Sequence, residues 1–247
     1  MKSIPNKDKK TSKKFAFFLS KKIGKAIMDY NMLSDGDKIL VAISGGKDSM
    51  TVLKILQERR SFVPIKYELV AVHVDMGYKC IHPKILEKYL KENGYNYYFK
   101  KVNILKDTTR DKITCFWCSW NRRKALFEAA DKLGCNKIAL GHHKDDIIQT
   151  FFLNLVFQGE ISTMVPRQEL FNGKIVIIRP LAYVEEKDCE RFAKENNFPI
   201  PHCRCPNAGK TQRSQVGKLI KQIEGMSPNF KTNIFRSLQR IKQEYLL

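Results

Sequence analysis

Lys38-Ile39-Leu40-Val41-Ala42-Ile43-Ser44-Gly45-Gly46-Lys47-Asp48-Ser49 passes within twelve residues from an apolar run to a polar, glycine-rich turn. A short continuous apolar run that ends in glycines suits a parallel strand buried on both faces. The turn behind it is an anion site by construction. Two glycines let the backbone turn sharply and bring N–H groups against phosphate oxygens, and a helix opening directly behind them adds the positive end of its dipole. Lys47 supplies a point charge, and Ser44 and Ser49 supply hydroxyls. The spacing is neither G-x-x-x-x-G-K-[ST] nor G-x-G-x-x-G, which separates this loop from the commonest phosphate and dinucleotide fingerprints.

Outward from that stretch the pattern alternates. Strand-like runs at 67–74, 97–102, 137–140 and 175–178 are separated by helical patterns at 49–59, 83–93, 121–133, 145–157 and 185–196. Strands alternating with helices predict an α/β fold with an open, doubly wound parallel sheet of about five strands. Ligands of such sheets sit beyond the carboxyl ends of the strands. A basic N-terminal helix is expected from about residue 15 to 32, with Phe15, Phe18, Leu19, Ile23 and Ile27 on its packing face. After Phe198-Pro199-Ile200-Pro201 the sheet pattern stops and a basic helical segment begins. The predicted organisation is therefore residues 1–34, a nucleotide-binding α/β domain at 35–202, and a helical appendage at 203–247 packed on it.

Composition narrows the partner. The chain has 247 residues, 45 Lys plus Arg against 25 Asp plus Glu, and a formal net charge of +20, while 43% of it is hydrophobic. That is a core-forming protein with far more positive charge than solubility needs, which points to a polyanion, nucleic acid first. No apolar run reaches the ~18 residues that span a bilayer. Phe15-Ala16-Phe17-Phe18-Leu19 is shorter than the ~7–15-residue core of a signal peptide, so a cytoplasmic protein without a membrane partner is expected. Residues 1–25 hold nine Lys and one acid; such charge runs are usually solvated faces, and this one is read as a docked soluble helix.

Seven Cys, an odd number, do not form a secreted disulfide framework. Cys115 and Cys118 make a C-x-x-C pair, and Cys203-Arg204-Cys205 lies in the Pro-rich turn. Zinc, a redox dithiol and an iron–sulfur site are all open for this set, although C-x-C is a poor zinc spacing. Cys80, Cys135 and Cys189 read as ordinary interior thiols.

Ser44-Gly45-Gly46-Lys47-Asp48-Ser49 after the first strand resembles the PP-loop of the N-type ATP pyrophosphatases, which cleave ATP between its α and β phosphates. Gly141-His142-His143-Lys144-Asp145-Asp146, Cys115-Phe116-Trp117-Cys118 with the adjoining Arg122-Arg123-Lys124, and Ile178-Arg179-Pro180-Leu181 resemble, in order and approximate spacing, the branch that thiolates tRNA. Together these motifs, spread over residues 35–240, resemble the tRNA 2-thiocytidine synthetase family, which acts on cytidine at position 32. The resemblance implies an ATP-dependent sulfurtransferase with Mg²⁺ and a [4Fe-4S] cluster. Three thiolates on such a cluster leave one iron open for an exogenous sulfur ligand, and Cys115, Cys118 and one later Cys are the implied ligands. Here the later element reads Pro201-His202-Cys203-Arg204-Cys205, one residue shorter than the family's Pro-Cys-x-x-Cys. Anchoring on Phe198-Pro199-Ile200 makes Cys203 the third ligand, with Cys205 the alternative.

The implied chemistry gives roles to the remaining residues. Adenylation needs phosphate charge neutralised and the attacking oxygen held in line. Lys47, the loop amides and Mg²⁺ serve the first need, with Asp48 and Asp146 holding the metal or fixing the loop; an aspartate here also makes an ordinary helix cap. Gly141 and His142 stand at the strand end beside nucleotide or substrate. Val72, His73 and Val74, in the second strand, would lie near adenine. Arg122, Arg123, Lys124 and the basic residues after Cys203 are expected on tRNA phosphates, and Trp117 and Trp120 can stack a base. Sulfur would come from a cysteine desulfurase or from sulfide, and a protein persulfide is a workable route without a cluster. The resemblance also implies a homodimer. Competing readings are thiolation of uridine, whose enzymes carry further C-x-x-C pairs that this chain lacks, lysidine formation, which leaves Cys115 and Cys118 unexplained, and a catalytically silent nucleotide-gated RNA-binding protein.

Overall fold

The structure, a computed structural model, describes residues 6–77, 83–102, 114–200 and 211–245, without the side chains of residues 6–10 and Cys115. Among the described residues six strands, β1 (Asp37–Ala42), β2 (Tyr67–Asp75), β3 (Tyr97–Lys101), β4 (Lys137–Ala139), β5 (Arg167–Leu170) and β6 (Ile175–Ile178), form one sheet in the order β3-β2-β1-β4-β6-β5. The helices are α1 (Asn6–Asp29), α2 (Lys47–Arg59), α3 (Pro83–Glu92), α4 (Cys115–Lys132), α5 (Lys144–Phe157), α6 (Glu186–Glu195), α7 (Gln212–Met226) and α8 (Phe230–Ser237). None is long and apolar enough to cross a membrane.

Why β1 is apolar from Ile39 onward is visible in its packing. Ile39 and Val41 enter a core with Leu19, Ile23, Leu53 and Phe192, so α1, α2 and α6 cover one face of the sheet. Leu40, one step out of phase, joins Val72, Leu126, Ala129 and Ile138 on the other face, under α4. A strand sandwiched in this way has no solvent side on which a polar residue would be tolerated. A smaller cluster of Ile148, Val216, Ile220 and Phe230 seats α7 and α8 on α5. Along α1, the Arg59 guanidinium donates to the Ser20 carbonyl at 3.0 Å. Gly24 makes room for it, because a Cβ there would lie 2.6 Å from the guanidinium nitrogen.

Three expectations change. The sheet has six strands rather than about five: β5 is antiparallel to β6, pairing Arg167 with Ile178 and Leu170 with Ile175. Its sequence, RQEL, is too short and polar to read as a buried strand, and it needs no buried face because it lies at the sheet edge. The hairpin signal was present in Asn172-Gly173, where φ is +54° and +83°. Helix α4 starts at Cys115, well before residue 121, because Thr114 caps it, its side chain accepting the Trp117 N–H at 3.2 Å. Helix α1 spans Asn6–Asp29 instead of about 15–32, continuing through the Lys-rich stretch, since lysine is a good helix former.

At the amino-terminal end of the sheet Asp37 and Lys137, exposed by only 4% and 6%, meet at 2.6 Å. The Lys137 ammonium also donates to the Met32 carbonyl at 2.9 Å. Asp37 accepts from the Ser34 N–H and from Asn136 Nδ2. This pair ties β1 to β4, the two strands between which the winding reverses: the chain runs from β1 out to β3 and returns to β4 on the other side. The carboxyl ends of β1 and β4 therefore flank the crevice in which open α/β sheets bind ligands.

Candidate active site

The loop leaving β1 is held by its own hydroxyls. Ser49 Oγ donates to the Gly46 carbonyl at 2.9 Å and accepts the Ser44 N–H at 3.2 Å. Ser44 Oγ accepts the Gly46 N–H at 3.2 Å. Gly45 stands at φ +84°, a conformation open to glycine and strained for other residues. These bonds pre-shape the turn before α2, whose first residues are Lys47 and Asp48.

The second motif is pressed against this loop. A Cβ on Gly141 would lie 2.8 Å from Ser49 N and 3.0 Å from the Asp48 carbonyl carbon, so backbone touches backbone. Directly after it, α5 opens at Lys144 with His143 as its N-cap. Asp146 Oδ2 accepts the His143 N–H at 3.1 Å, which is the capping role. Its other oxygen is paired with Arg213 of α7, whose Nε is also bound by Gln149 Oε1 at 2.6 Å. Asp145 accepts the Glu186 N–H at 2.8 Å and pairs with Lys231 of α8 at 2.6 Å. Burial opposes its ionisation, but Lys231 and the Glu186 N–H outweigh that and hold its carboxyl below the usual range.

Lys47 and Asp48 face each other, Nζ to Oδ2, at 3.6 Å. Burial raises the Asp48 pKa, partly offset by Lys47. Asp48 Oδ1 and His143 Nδ1 are buried without a hydrogen-bond partner among the described residues. The Cys189 thiol lies beneath this aspartate, fully buried, and burial pushes its pKa up. The shortest contact of Lys47 is with a residue to which composition and spacing gave no role: its Nζ lies 2.8 Å from Glu186 Oε1, at the start of α6.

His142 is also in place. Its pKa is pushed down to about 4, first by burial and then by the charge of Arg179, so it is neutral near pH 7. Arg179 Nε donates to His142 Nδ1 at 3.3 Å, which leaves the ring proton on Nε2. Arg179 itself is buried and bonded to the Val165 carbonyl, with its pKa lowered to about 10 by burial and by the nearby Arg123. Among the described residues it has no carboxylate partner within ion-pair distance. The motif Ile178-Arg179-Pro180-Leu181 contained this residue, but its link to His142 comes only from packing β6 beside β4.

In β2 the side chain of His73 is buried and its Nδ1 donates to the Ile43 carbonyl at 2.8 Å, bracing the strand just where the loop begins. Burial lowers its pKa. The Val72 carbonyl already accepts the Ile43 N–H at 2.8 Å. The last β1–β2 pair is Ala42 with Val72, so Val74 extends past the end of β1.

Helix α4 lies against β2 and carries Cys115 on its first turn and Cys118 three residues later. Residues three apart share a helix face. Cys118 is half-buried against the core that contains Val72 and Val74. Trp117 packs on the same core, whereas Trp120 is 53% exposed with the Lys124 ammonium 5.7 Å over its ring. Arg122, Arg123 and Lys124 are exposed beside it. Cys203, Cys205 and Cys80 lie outside the described residues. Among the described residues no group of three or more His, Cys, Asp or Glu forms a cation cage. The unpartnered Asp48 Oδ1 nonetheless fits a magnesium ion, which takes one or two carboxylates and fills its shell with phosphate and water.

Comparison with known proteins agrees with this geometry. The model of the PP-loop domain family matches residues 16–200. The chain is 41% identical over 231 residues to the tRNA-cytidine(32) 2-sulfurtransferase of Geobacter sulfurreducens, covering 91% of this chain and 90% of the relative. It is 42% identical over 234 residues to the protein of that name from Janthinobacterium sp. (strain Marseille), covering 93% and 74%. Among solved structures, the U34-tRNA thiolase NcsA from Methanococcus maripaludis with its [4Fe-4S] cluster superposes with a TM-score of 0.78 at 24% identity, covering 96% of this chain and 81% of that one, and shares the fold. With its loop, its Gly-His-His motif and its C-x-x-C helix at one end of the sheet, the chain belongs to the PP-loop family and, within it, to the tRNA-cytidine(32) 2-sulfurtransferases.

Proposed function

We propose that this enzyme thiolates tRNA, replacing the C2 oxygen of cytidine at position 32 by sulfur at the expense of ATP. The observation that carries the reading is the backbone contact between Gly141 and the start of α2, which fuses the phosphate loop and the Gly-His-His motif into one site. The names of the relatives support tRNA and cytidine as the target. In the first half reaction the cytidine O2 attacks the α-phosphorus of ATP and pyrophosphate leaves with the bonding electrons. The loop amides and Lys47 stabilise phosphate charge, and Asp48 would hold a Mg²⁺ that screens it, while Asp146, bound to the His143 N–H and to Arg213, fixes the loop. Val74 is the proposed backbone reader of adenine, with His73 supporting it through the loop. His142, neutral and with its proton on Nε2, would face the reacting groups together with Arg179, a buried cation that has no carboxylate within ion-pair distance among the described residues. In the second half reaction a sulfur nucleophile adds at C2 and AMP departs.

Cys115, Cys118 and Cys203, or Cys205 in its place, would hold a [4Fe-4S] cluster. When bound, such a cluster supplies a soft, open position for sulfur. The residues that border it are suited to substrate rather than to metal: exposed Arg122, Arg123 and Lys124 meet phosphates, and Trp120 stacks an unpaired base. The sulfur source is proposed to be a cysteine desulfurase or sulfide. The domain boundaries at 34 and 202 remain part of this reading, with the helices after residue 211 forming the second basic flank of the site. A second copy of the chain is the proposed cover for Leu155, Val156, Ile161 and Val165, which are exposed after the middle of α5; sedimentation at micromolar concentration reports it.

Nucleoside mass spectrometry of tRNA from a deletion strain tests the function. Loss of 2-thiocytidine, restored by this chain, is expected; loss of 2-thiouridine instead would assign the uridine reaction, and no change would leave only RNA binding. Anaerobically purified protein is expected to be brown and to carry iron and sulfide in near-equal amounts. Cys115→Ala should bleach it while ATP binding persists. A colourless protein that holds zinc alone and still thiolates would overturn the cluster assignment.

A further inference from the structure

Lys47 is the cation of the phosphate loop, yet its nearest partner is a carboxylate from a helix far away in sequence. Its Nζ lies 2.8 Å from Glu186 Oε1, against 3.6 Å from its neighbour Asp48. Glu186 is the first residue of α6 and its backbone is fixed: its N–H donates to Asp145 Oδ2 at 2.8 Å, and Asp145 is held in turn by Lys231 at 2.6 Å. The side chain is not fixed in the same way. It is 49% exposed, while Lys47 is 23% exposed. A rigid helix start thus carries a carboxylate that is free to turn toward solvent.

Resting on the reading of this loop as the ATP site, we infer that Glu186 is a positioning residue that stands in for a phosphate oxygen. It holds the Lys47 ammonium over the loop while no nucleotide is bound and releases it when phosphates arrive. The energetics permit the exchange. A half-exposed lysine–carboxylate pair contributes little net stability. Phosphate in the loop offers several charged oxygens together with the backbone donors of a helix start. Once phosphate is seated, a carboxylate on the same ammonium is repelled by it, so Glu186 turns away. The ion pair keeps an otherwise flexible lysine in one orientation, and it competes with ATP. Asp48 and Glu190 also act on Lys47 electrostatically, but neither makes the short contact.

Glu186→Gln removes the competitor and leaves α6 anchored by its backbone. Measured by calorimetry on the full chain, binding of α,β-methylene-ATP and of inorganic pyrophosphate should tighten about three- to tenfold at low salt, with a steeper dependence on salt because the salt-labile competitor is gone. Binding of adenosine, which has no phosphate, should not move; a structural defect would weaken all three. The same substitution made in Lys47→Met should bring no gain, because the effect passes through that lysine. Unchanged or weaker pyrophosphate binding in Glu186→Gln overturns the inference, as does an equal gain in the Lys47→Met background, which would make Glu186 a simple repulsive charge. If Lys47→Met itself binds pyrophosphate as well as the parent does, the phosphate-loop reading fails instead, and the two failures are distinguishable.

Discussion

Gly141→Ala should lower the kcat/KM of tRNA thiolation by at least about 100-fold, because a misplacement of the order of 1 Å in a reacting site costs that much. The new Cβ would sit 2.8 Å from Ser49 N, 3.0 Å from the Asp48 carbonyl carbon and 3.1 Å from Ser49 Cα. All three are backbone atoms in the first turn of α2, so no side chain can rotate to relieve the clash. The helix start must shift, and the amides, Lys47 and Asp48 shift with it. Overpacking of this kind also costs roughly 1–3 kcal/mol of stability. Gly225→Ala is the comparison: nothing lies within 4 Å of a Cβ there. It is expected to leave both quantities unchanged or to stabilise α7 slightly. ATP binding and single-turnover thiolation measured side by side decide the matter. Thiolation by Gly141→Ala within threefold of the parent would mean that the two motifs do not form a single site.

The largest effect on stability is expected at the opposite end of the sheet. Asp37→Ala leaves the Lys137 ammonium, whose side chain is 6% exposed, with the Met32 carbonyl as its remaining described acceptor. Removing one member of a buried pair typically costs about 3–5 kcal/mol, because the other charge stays buried and uncompensated. For a chain of this length that corresponds to a drop in Tm of roughly 10 °C. Replacing both, Asp37→Leu with Lys137→Met, should recover most of the loss, since neither charge is then stranded. Nucleotide affinity should hold throughout, because the pair lies at the amino ends of β1 and β4 and the loop lies at their carboxyl ends. Urea unfolding and calorimetry on the same samples test both halves; a loss under about 1 kcal/mol for Asp37→Ala would show that water reaches the lysine.

Legibility in the sequence tracked the range of the interactions. The phosphate loop was readable because everything that shapes it is local: Ser44, Gly46 and Ser49 bond to one another within six residues. The same holds for the C-x-x-C pair, whose two positions share a helix face, although the helix itself begins earlier than its apolar pattern indicated because Thr114 caps it. Strand β5 was not legible as a strand since an edge strand needs no apolar face, and only Asn172-Gly173 marked it. Arg179 stood inside a recognisable motif with no hint of its contact with His142.

By itself, then, the sequence determined the class of fold, the phosphate loop and the residue types that reach its crevice. Continuous apolar strands have no alternative to burial on both sides, and glycine at a tight turn has few substitutes. Tertiary structure alone decided which charges face one another. Lys47 meets Glu186 because α6 packs beside α2, and Asp145 and Asp146 meet Lys231 and Arg213 because α7 and α8 seat on α5. Arg213 lies 67 residues from Asp146 in the chain, and Glu186 lies 139 residues from Lys47. An ion pair leaves no periodicity in a sequence, and a carboxylate on a +20 chain has too many lysines and arginines to choose from for its partner to be read from spacing. Packing of apolar faces, which has such a period, selects the partner on its behalf.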